Sequence, residues 1–272
     1  MIQVQSRIKL SSAILTVMGT AALKAARKLV HDFSEVEHLQ VSRKGPNDFV
    51  SAADLRSEKT IRDELQKARP GFGFLLEEGG EISPDPTVRS RFIVDPLDGT
   101  KNFIHGIPHF SISIAFEQNS EVTAGVVYDP LKDEMFYAVK GQGAFLNNRR
   151  LRVSSRERLG DAFMGMSMVA GSMNADHKDF KKTRMYLHLG EQTSGLRRMG
   201  SSTLNLCYVA AGRLDTYYAV DLGAWDIAAG ALIVKEAGGY FTGFDTQTGT
   251  ISGTILATNG HLHETILQLI KK

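Results

Sequence analysis

Asp95, Asp98 and Thr100 crowd into "RFIVDPLDGTKNF" (91–103), directly behind the apolar run from Arg91 to Val94. Asp98 follows Asp95 across a turn holding Pro96 and Gly99, so both carboxylates can reach one point with the Leu97 carbonyl between them. A second acidic pair, Glu77-Glu78, closes another apolar run, "FGFLL" (72–76). A strand end is a rigid platform for such groups. Hard oxygen donors at this density, with no thiolate nearby, suit Mg²⁺ or a similar cation rather than zinc. Taken alone, Asp-x-x-Asp-Gly-Thr also fits a polar turn that caps a helix. The strand before it and the second acidic strand end move the reading to a metal site.

Those strand ends need elements to hold them. The spacing predicts a helix from about Ala53 to Ala68, with Leu55, Ile61 and Leu65 facing inward and Pro70-Gly71 stopping it. Between about 110 and 153 short strands follow one another ("FSISIAFE", "AGVVYDP", "EMFYAVK", "GAFLNNRRLRV"), with Asn147-Asn148 as a tight hairpin turn. Helices are expected from Ser202 to Ala211, closed by Gly212, and over "WDIAAGALIVKEAGG", with Asp226 near its start. No linker or internal repeat interrupts the pattern. The expectation is a mixed α/β (α+β) chain with a mainly antiparallel sheet in its first half, and its length allows one large domain or two.

Composition removes several classes of function. The charge balance is 32 Lys+Arg against 30 Asp+Glu, so no global field announces a nucleic-acid partner. The lone cysteine, Cys207, excludes an internal disulfide and a cysteine-built zinc site, as expected of a reducing cytoplasm. "KLSSAILTVMGTAALKAA" has the ingredients of a signal peptide, but Ile14, Val17, Ala21, Ala25 and Leu29 recur at helical spacing and predict an amphipathic helix packed on a core. No apolar run reaches the ~20 residues of a membrane span. His105 and His109, separated by Gly106 and Pro108, make poor metal partners, and Cys207 reads as core. The arginines at 149, 150, 152, 156 and 158 read as a solvated hairpin edge.

Taken in order, "EE" after a buried strand, "VDPLDGTKNF" and "WDIAAGALIVKEAGG" resemble the inositol monophosphatase family, particularly its bacterial suhB-like branch. "KGPNDFVSAAD" (44–54), "GIPHFSISIA" (106–115), "GQGAFLNNRRLRVS" (141–154) and "RRMGSSTLNLCYVAAGR" (198–213) extend the resemblance over nearly the whole chain.

The resemblance implies a layered α-β-α-β-α sandwich, a single unit over 1–272, and a Mg²⁺-dependent phosphomonoesterase. It places a first cation on Glu77, Asp95 and the Leu97 carbonyl, and a second on Asp95, Asp98 and Asp226. Glu77 would help position a third, looser ion through water. Thr100 and Asp54 would orient and deprotonate the attacking water; from the residues alone Asp54 also reads as an ordinary helix-start acid. Gly99 and Thr100 open a short helix whose N–H groups can face phosphate oxygen. Lys44 resembles the family lysine near the metals, and Gly200, Ser201 and Ser202 the segment touching the alcohol portion of the substrate.

The resemblance further suggests Li⁺ sensitivity and a homodimer. Two positions depart from the family: Leu76 stands where many relatives have glycine, and Ala219 where many carry a glutamate that reads an inositol hydroxyl. The resemblance implies inositol monophosphate or a similar small polyol or sugar phosphate as substrate, and Ala219 leaves the alcohol it prefers open. The alternatives are a phosphatase for a nucleotide 3′-phosphate or histidinol phosphate, and a regulatory partner of RNA and the transcription machinery.

Overall fold

A computed structural model describes residues 10, 12–35, 41–45, 48–167, 188–243 and 253–271; side chains of 41–50 are not described. Along the chain run α1 (Ala13–Ser34), β1 (Val41–Gly45), β2 (Asp48–Ser51), α2 (Ala52–Ala68), β3 (Gly73–Leu76), β4 (Gly80–Ile82), β5 (Ser90–Asp98) and α3 (Thr100–Ile104). Then come β6 (Ser111–Gln118), β7 (Glu121–Asp129), β8 (Glu134–Val139), β9 (Gly143–Leu146) and β10 (Arg149–Arg150). The remainder holds β11 (Phe163–Ser167), β12 (Gly195–Arg197), α4 (Ser202–Ala210), β13 (Thr216–Leu222), α5 (Ala224–Glu236), β14 (Tyr240–Gly243), β15 (Gly253–Thr258) and α6 (His263–Lys271).

Alternation along the strands sorts the core into layers. In the eight-stranded sheet, ordered β10-β9-β8-β7-β6-β5-β3-β4, Phe92 and Val94 face α1 and α2, while Ile93 faces α4 and α5. In the five-stranded sheet, ordered β12-β11-β13-β15-β14, Tyr217 and Ala219 face that same α4/α5 layer. Tyr218 and Val220, on the opposite face, pack with Ile266 of α6. The result is the expected α-β-α-β-α sandwich. Helix α5 can lie directly on the first sheet because β7 offers Gly125 there: a Cβ would sit 3.0 Å from the Ala229 Cα. Helix α5 is apolar nearly all round, as a helix between two sheets must be.

The first sheet is antiparallel except at one pair. Strands β3 and β5 run parallel, with Leu76 opposite Val94. The turn after β9 holds Asn147 at φ 55°, a left-handed conformation that asparagine tolerates. Edge strand β10 exposes Arg149 and Arg150. Arg156 and Arg158 pair with Asp215 and Asp161.

One expected core position is not buried. Leu55 is 54% exposed, whereas Ile61 and Leu65 are fully buried. The buried stripe of α2 runs through Asp54, Glu58, Ile61 and Leu65, and Leu55 lies about 100° round the helix from Asp54. Two carboxylates, not leucine, start the stripe. Among the described residues no helix is long and apolar enough to cross a membrane.

Candidate metal and phosphate site

Parallel pairing of β3 and β5 brings the two acidic strand ends to one sheet edge. Both strands finish in the same direction, and the Glu77 N–H, one residue past β3, donates to the Val94 carbonyl at 3.1 Å. The β5–β6 register then breaks between Asp95 and Asp98. This bulge carries Pro96 and Leu97 out of the ladder and lets two aspartates three positions apart face one point. The Leu97 N–H donates to Asp95 Oδ1 at 2.9 Å, fixing the carboxylate across the turn. From another layer, Asp226 enters on the first turn of α5, where its Oδ2 accepts the Gly223 N–H at 2.8 Å.

Oxygens of Asp95, Asp98 and Asp226 all lie within 4.8 Å of one another. Burial, followed by the charges of Glu77, Asp98 and Asp226, holds the Asp95 carboxyl well above the usual carboxylate range. Asp226 is pushed up to about 7 by burial and by Asp98, against the opposing Gly223 N–H. So dense a set of hard oxygen donors, in which the neighbouring charges help raise Asp95 and Asp226, is what a divalent cation neutralises. The residues present fit a metal.

Beside this cluster the Thr100 hydroxyl lies 2.9 Å from Asp54 Oδ1 and 3.0 Å from the Leu97 carbonyl. The other Asp54 oxygen accepts the Ser51 N–H at 2.8 Å and the Ser51 hydroxyl at 2.6 Å, the capping box of α2. Asp54 thus starts α2 with one oxygen and holds the Thr100 hydroxyl with the other. Burial raises its carboxyl above the usual value, although these hydrogen bonds pull the other way. Gly99 is at φ 99° and a Cβ there would meet the His109 carbonyl at 3.1 Å, so only glycine fits this corner.

Several supporting groups escape a reading of the sequence. Ser57 donates to the Pro96 carbonyl at 2.8 Å, and Glu58 accepts the Glu78 N–H at 2.9 Å. Helix α2 thus grips both acidic corners with the polar end of its buried stripe. The spacing of Asp54 and Glu58 with Ile61 and Leu65 is the signal that could have found Glu58. The Asn102 amide donates to the carbonyls of His109 and Met199 at 2.7 and 2.8 Å, closing the loop against Gly200. Ser201 donates to Asp98 at 2.5 Å, and Ser202 accepts the Tyr217 hydroxyl at 3.0 Å, so both hydroxyls are engaged inside the protein. Leu76 is fully buried in the core beneath the α1/α2 layer. Lys44 lies on β1, but its side chain is outside the described residues. Cys207 is buried, and its burial pushes the thiol well up, away from nucleophilic use.

The sequence model of the inositol monophosphatase family matches residues 9–272. The chain belongs to that family. It is 48% identical over 265 residues to an inositol-1-monophosphatase of Rhizobium meliloti, covering 96% of this chain and 97% of that one. It is 38% identical over 267 residues to the Nus factor SuhB of Pasteurella multocida, covering 95% and 93%. The crystal structure of the extragenic suppressor protein suhB from Bartonella henselae superposes with a TM-score of 0.89 at 46% identity, covering 96% and 99%. In reaction class this inositol monophosphatase family member is a phosphoric monoester hydrolase.

Proposed function

We propose that the chain, as one catalytic unit over 1–272, is a Mg²⁺-dependent phosphatase that frees phosphate from inositol monophosphate or a similar small polyol or sugar phosphate. The observation that carries this is the meeting of Asp95, Asp98 and Asp226 within 4.8 Å, beside a Thr100 hydroxyl held on Asp54. Glu77, Asp95 and the Leu97 carbonyl would hold one cation, and Asp95, Asp98 and Asp226 a second. Bound there, such ions neutralise the phosphate monoester and acidify a water for in-line attack.

The chain's own groups do the rest. Thr100 accepts the proton of the attacking water as its own passes to Asp54, whose raised proton affinity suits a base better than an ordinary exposed aspartate. The N–H groups of Gly99 and Thr100, with Lys44, hold phosphate oxygen, while Glu77 orients water. Gly200, Ser201, Ser202 and Asp226 border the alcohol side. Inhibition by Li⁺ and a cytoplasmic homodimer belong to the same reading.

Recognition of the alcohol should be loose. Ala219 is fully buried on the face of β13 that packs on the α4/α5 layer, two residues beyond Tyr217, and offers no polar atom. A site lacking that acceptor leaves a substrate hydroxyl unread, a difference of about 1–3 kcal/mol. A panel of phosphate esters assayed with Mg²⁺ tests this. Inositol 1-phosphate should be hydrolysed without a strong preference over glycerol phosphates or nucleoside monophosphates. Ala219→Glu should raise kcat/KM for inositol phosphate by roughly tenfold, equivalent to ~1.4 kcal/mol. A wild-type preference above about a hundredfold, ~2.7 kcal/mol, left unchanged by Ala219→Glu, would show that another residue reads the alcohol.

A further inference from the structure

Asp98 is gripped by donors from a segment more than a hundred residues away. Its Oδ2 accepts the Ser201 hydroxyl at 2.5 Å, the Thr203 hydroxyl at 2.6 Å and the Thr203 N–H at 2.8 Å. Among the described residues its Oδ1 accepts one hydrogen bond, from the Ser202 N–H, at a longer 3.2 Å. A carboxylate oxygen has about two lone-pair sites, so three donors saturate Oδ2 and leave Oδ1 with capacity to spare. Behind Thr203 stands Ser111, whose hydroxyl lies 2.6 Å from the Thr203 hydroxyl. Ser111 faces Asp98 across the β5–β6 ladder just beyond the bulge. Proton direction in this chain is forced. A carboxylate only accepts, so Thr203 spends its single proton on Asp98, and Ser111 must donate to Thr203. Asp98, Ser111, Ser201, Ser202 and Thr203 are all buried.

We propose that Thr203, fixed from behind by Ser111, is a positioning residue for the second cation: it locks Oδ2 of Asp98 into the protein so that Oδ1 is the oxygen presented toward Asp95 and Asp226. This rests on the metal reading of that cluster. A threonine that merely started α4 would need no hydroxyl aimed at Asp98, because Ser201 is already the cap, its oxygen accepting the Leu204 N–H. Groups that orient a metal-binding carboxylate typically change metal affinity 10–100-fold when removed.

The test is Mn²⁺ binding to the full-length protein, followed by calorimetry and by the electron-paramagnetic signal of free Mn²⁺, alongside thermal unfolding. Thr203→Val keeps the shape and removes the hydroxyl. It should weaken the second Mn²⁺ by roughly tenfold or more and leave the first within about twofold. Thr203→Ser should restore binding, and Ser111→Ala should give a smaller shift in the same direction. The Mg²⁺ concentration for half-maximal phosphate release should rise with these shifts. A folded Thr203→Val with wild-type affinity at both sites would overturn the inference. Should Thr203→Val not fold, Ser111→Ala, which alters only the partner of the Thr203 hydroxyl, decides in its place: unchanged affinity overturns the inference. Wild-type protein that binds no second Mn²⁺ would instead overturn the metal reading beneath it.

Discussion

Asp54→Asn strikes two functions that Thr100→Ala separates. In the wild type one Asp54 oxygen accepts two donors from Ser51 and the other accepts Thr100. Asparagine keeps a single acceptor, so whichever way its amide turns, an N–H group faces either Ser51 or Thr100. Turned toward Ser51, it abolishes a cap at about 0.5–2 kcal/mol. Turned toward Thr100, it misorients the hydroxyl at a buried hydrogen bond worth about 1–3 kcal/mol to leave unmade. Against a typical stability of about 5–15 kcal/mol, the variant stays folded with a lowered melting temperature. Thr100→Ala leaves the Ser51 cap whole and should barely move that temperature. Both variants should nonetheless lose about 10²–10⁴ in kcat, the usual worth of positioned proton transfer. Because the two groups act as one relay, the double variant should cost little more in kcat than the worse single. Phosphate release at saturating Mg²⁺, measured with thermal unfolding on all four proteins, completes the cycle. Fully additive losses in kcat, or a Thr100→Ala enzyme retaining most of its activity, would refute the relay and leave Asp54 as a cap alone.

The carboxylate cluster also makes metal-free stability depend on pH. Folding raises Asp226 to about 7 and raises Asp95, so their contribution is fully present below the ordinary aspartate range and is lost as pH climbs through about 7. Added Mg²⁺ should therefore raise the melting temperature more at pH 8 than at pH 5, and a larger shift at pH 5 would contradict the cluster. On α2, Leu55→Ala should alter stability by no more than ~0.5 kcal/mol, while Ile61→Ala should cost about 2–5 kcal/mol in denaturant titration.

Much of the site was legible because it is local. The apolar run into Asp95, the turn residues Pro96 and Gly99, and the close spacing to Asp98 announced a strand end and turn holding oxygen donors; the bulge there is set by pairing with β6. The second acidic corner, Glu77, was equally visible, but its adjacency to Asp95 depends on β3 and β5 being parallel neighbours, which only strand order decides. Asp54 and Asp226 lie far from that turn, and from residues alone each reads as a helix-start acid. The resemblance to a family, not periodicity, singled them out. The Ser111–Thr203–Asp98 chain was invisible for a plainer reason: short hydroxyl side chains carry no period, and 92 residues separate Ser111 from Thr203. Leu55 failed because a hydrophobic-only reading of α2 missed that buried Asp54 and Glu58 belong to its inner stripe.

Asp95 should serve a metal on which phosphate release depends. Asp95 is 1% exposed, its Oδ1 accepts the Leu97 N–H across the turn, and asparagine preserves its shape while leaving one carboxylate-type oxygen ligand in place of two and removing its charge. Phosphate release from a small phosphate ester should be measured for wild-type and Asp95→Asn proteins, first stripped with EDTA and then titrated with Mg²⁺. Both should be silent after stripping, the wild type alone should recover, and Asp95→Asn should be folded by thermal unfolding. Full turnover by stripped wild-type protein, or Mg²⁺-restored turnover by Asp95→Asn at the wild-type rate, would contradict this role of Asp95.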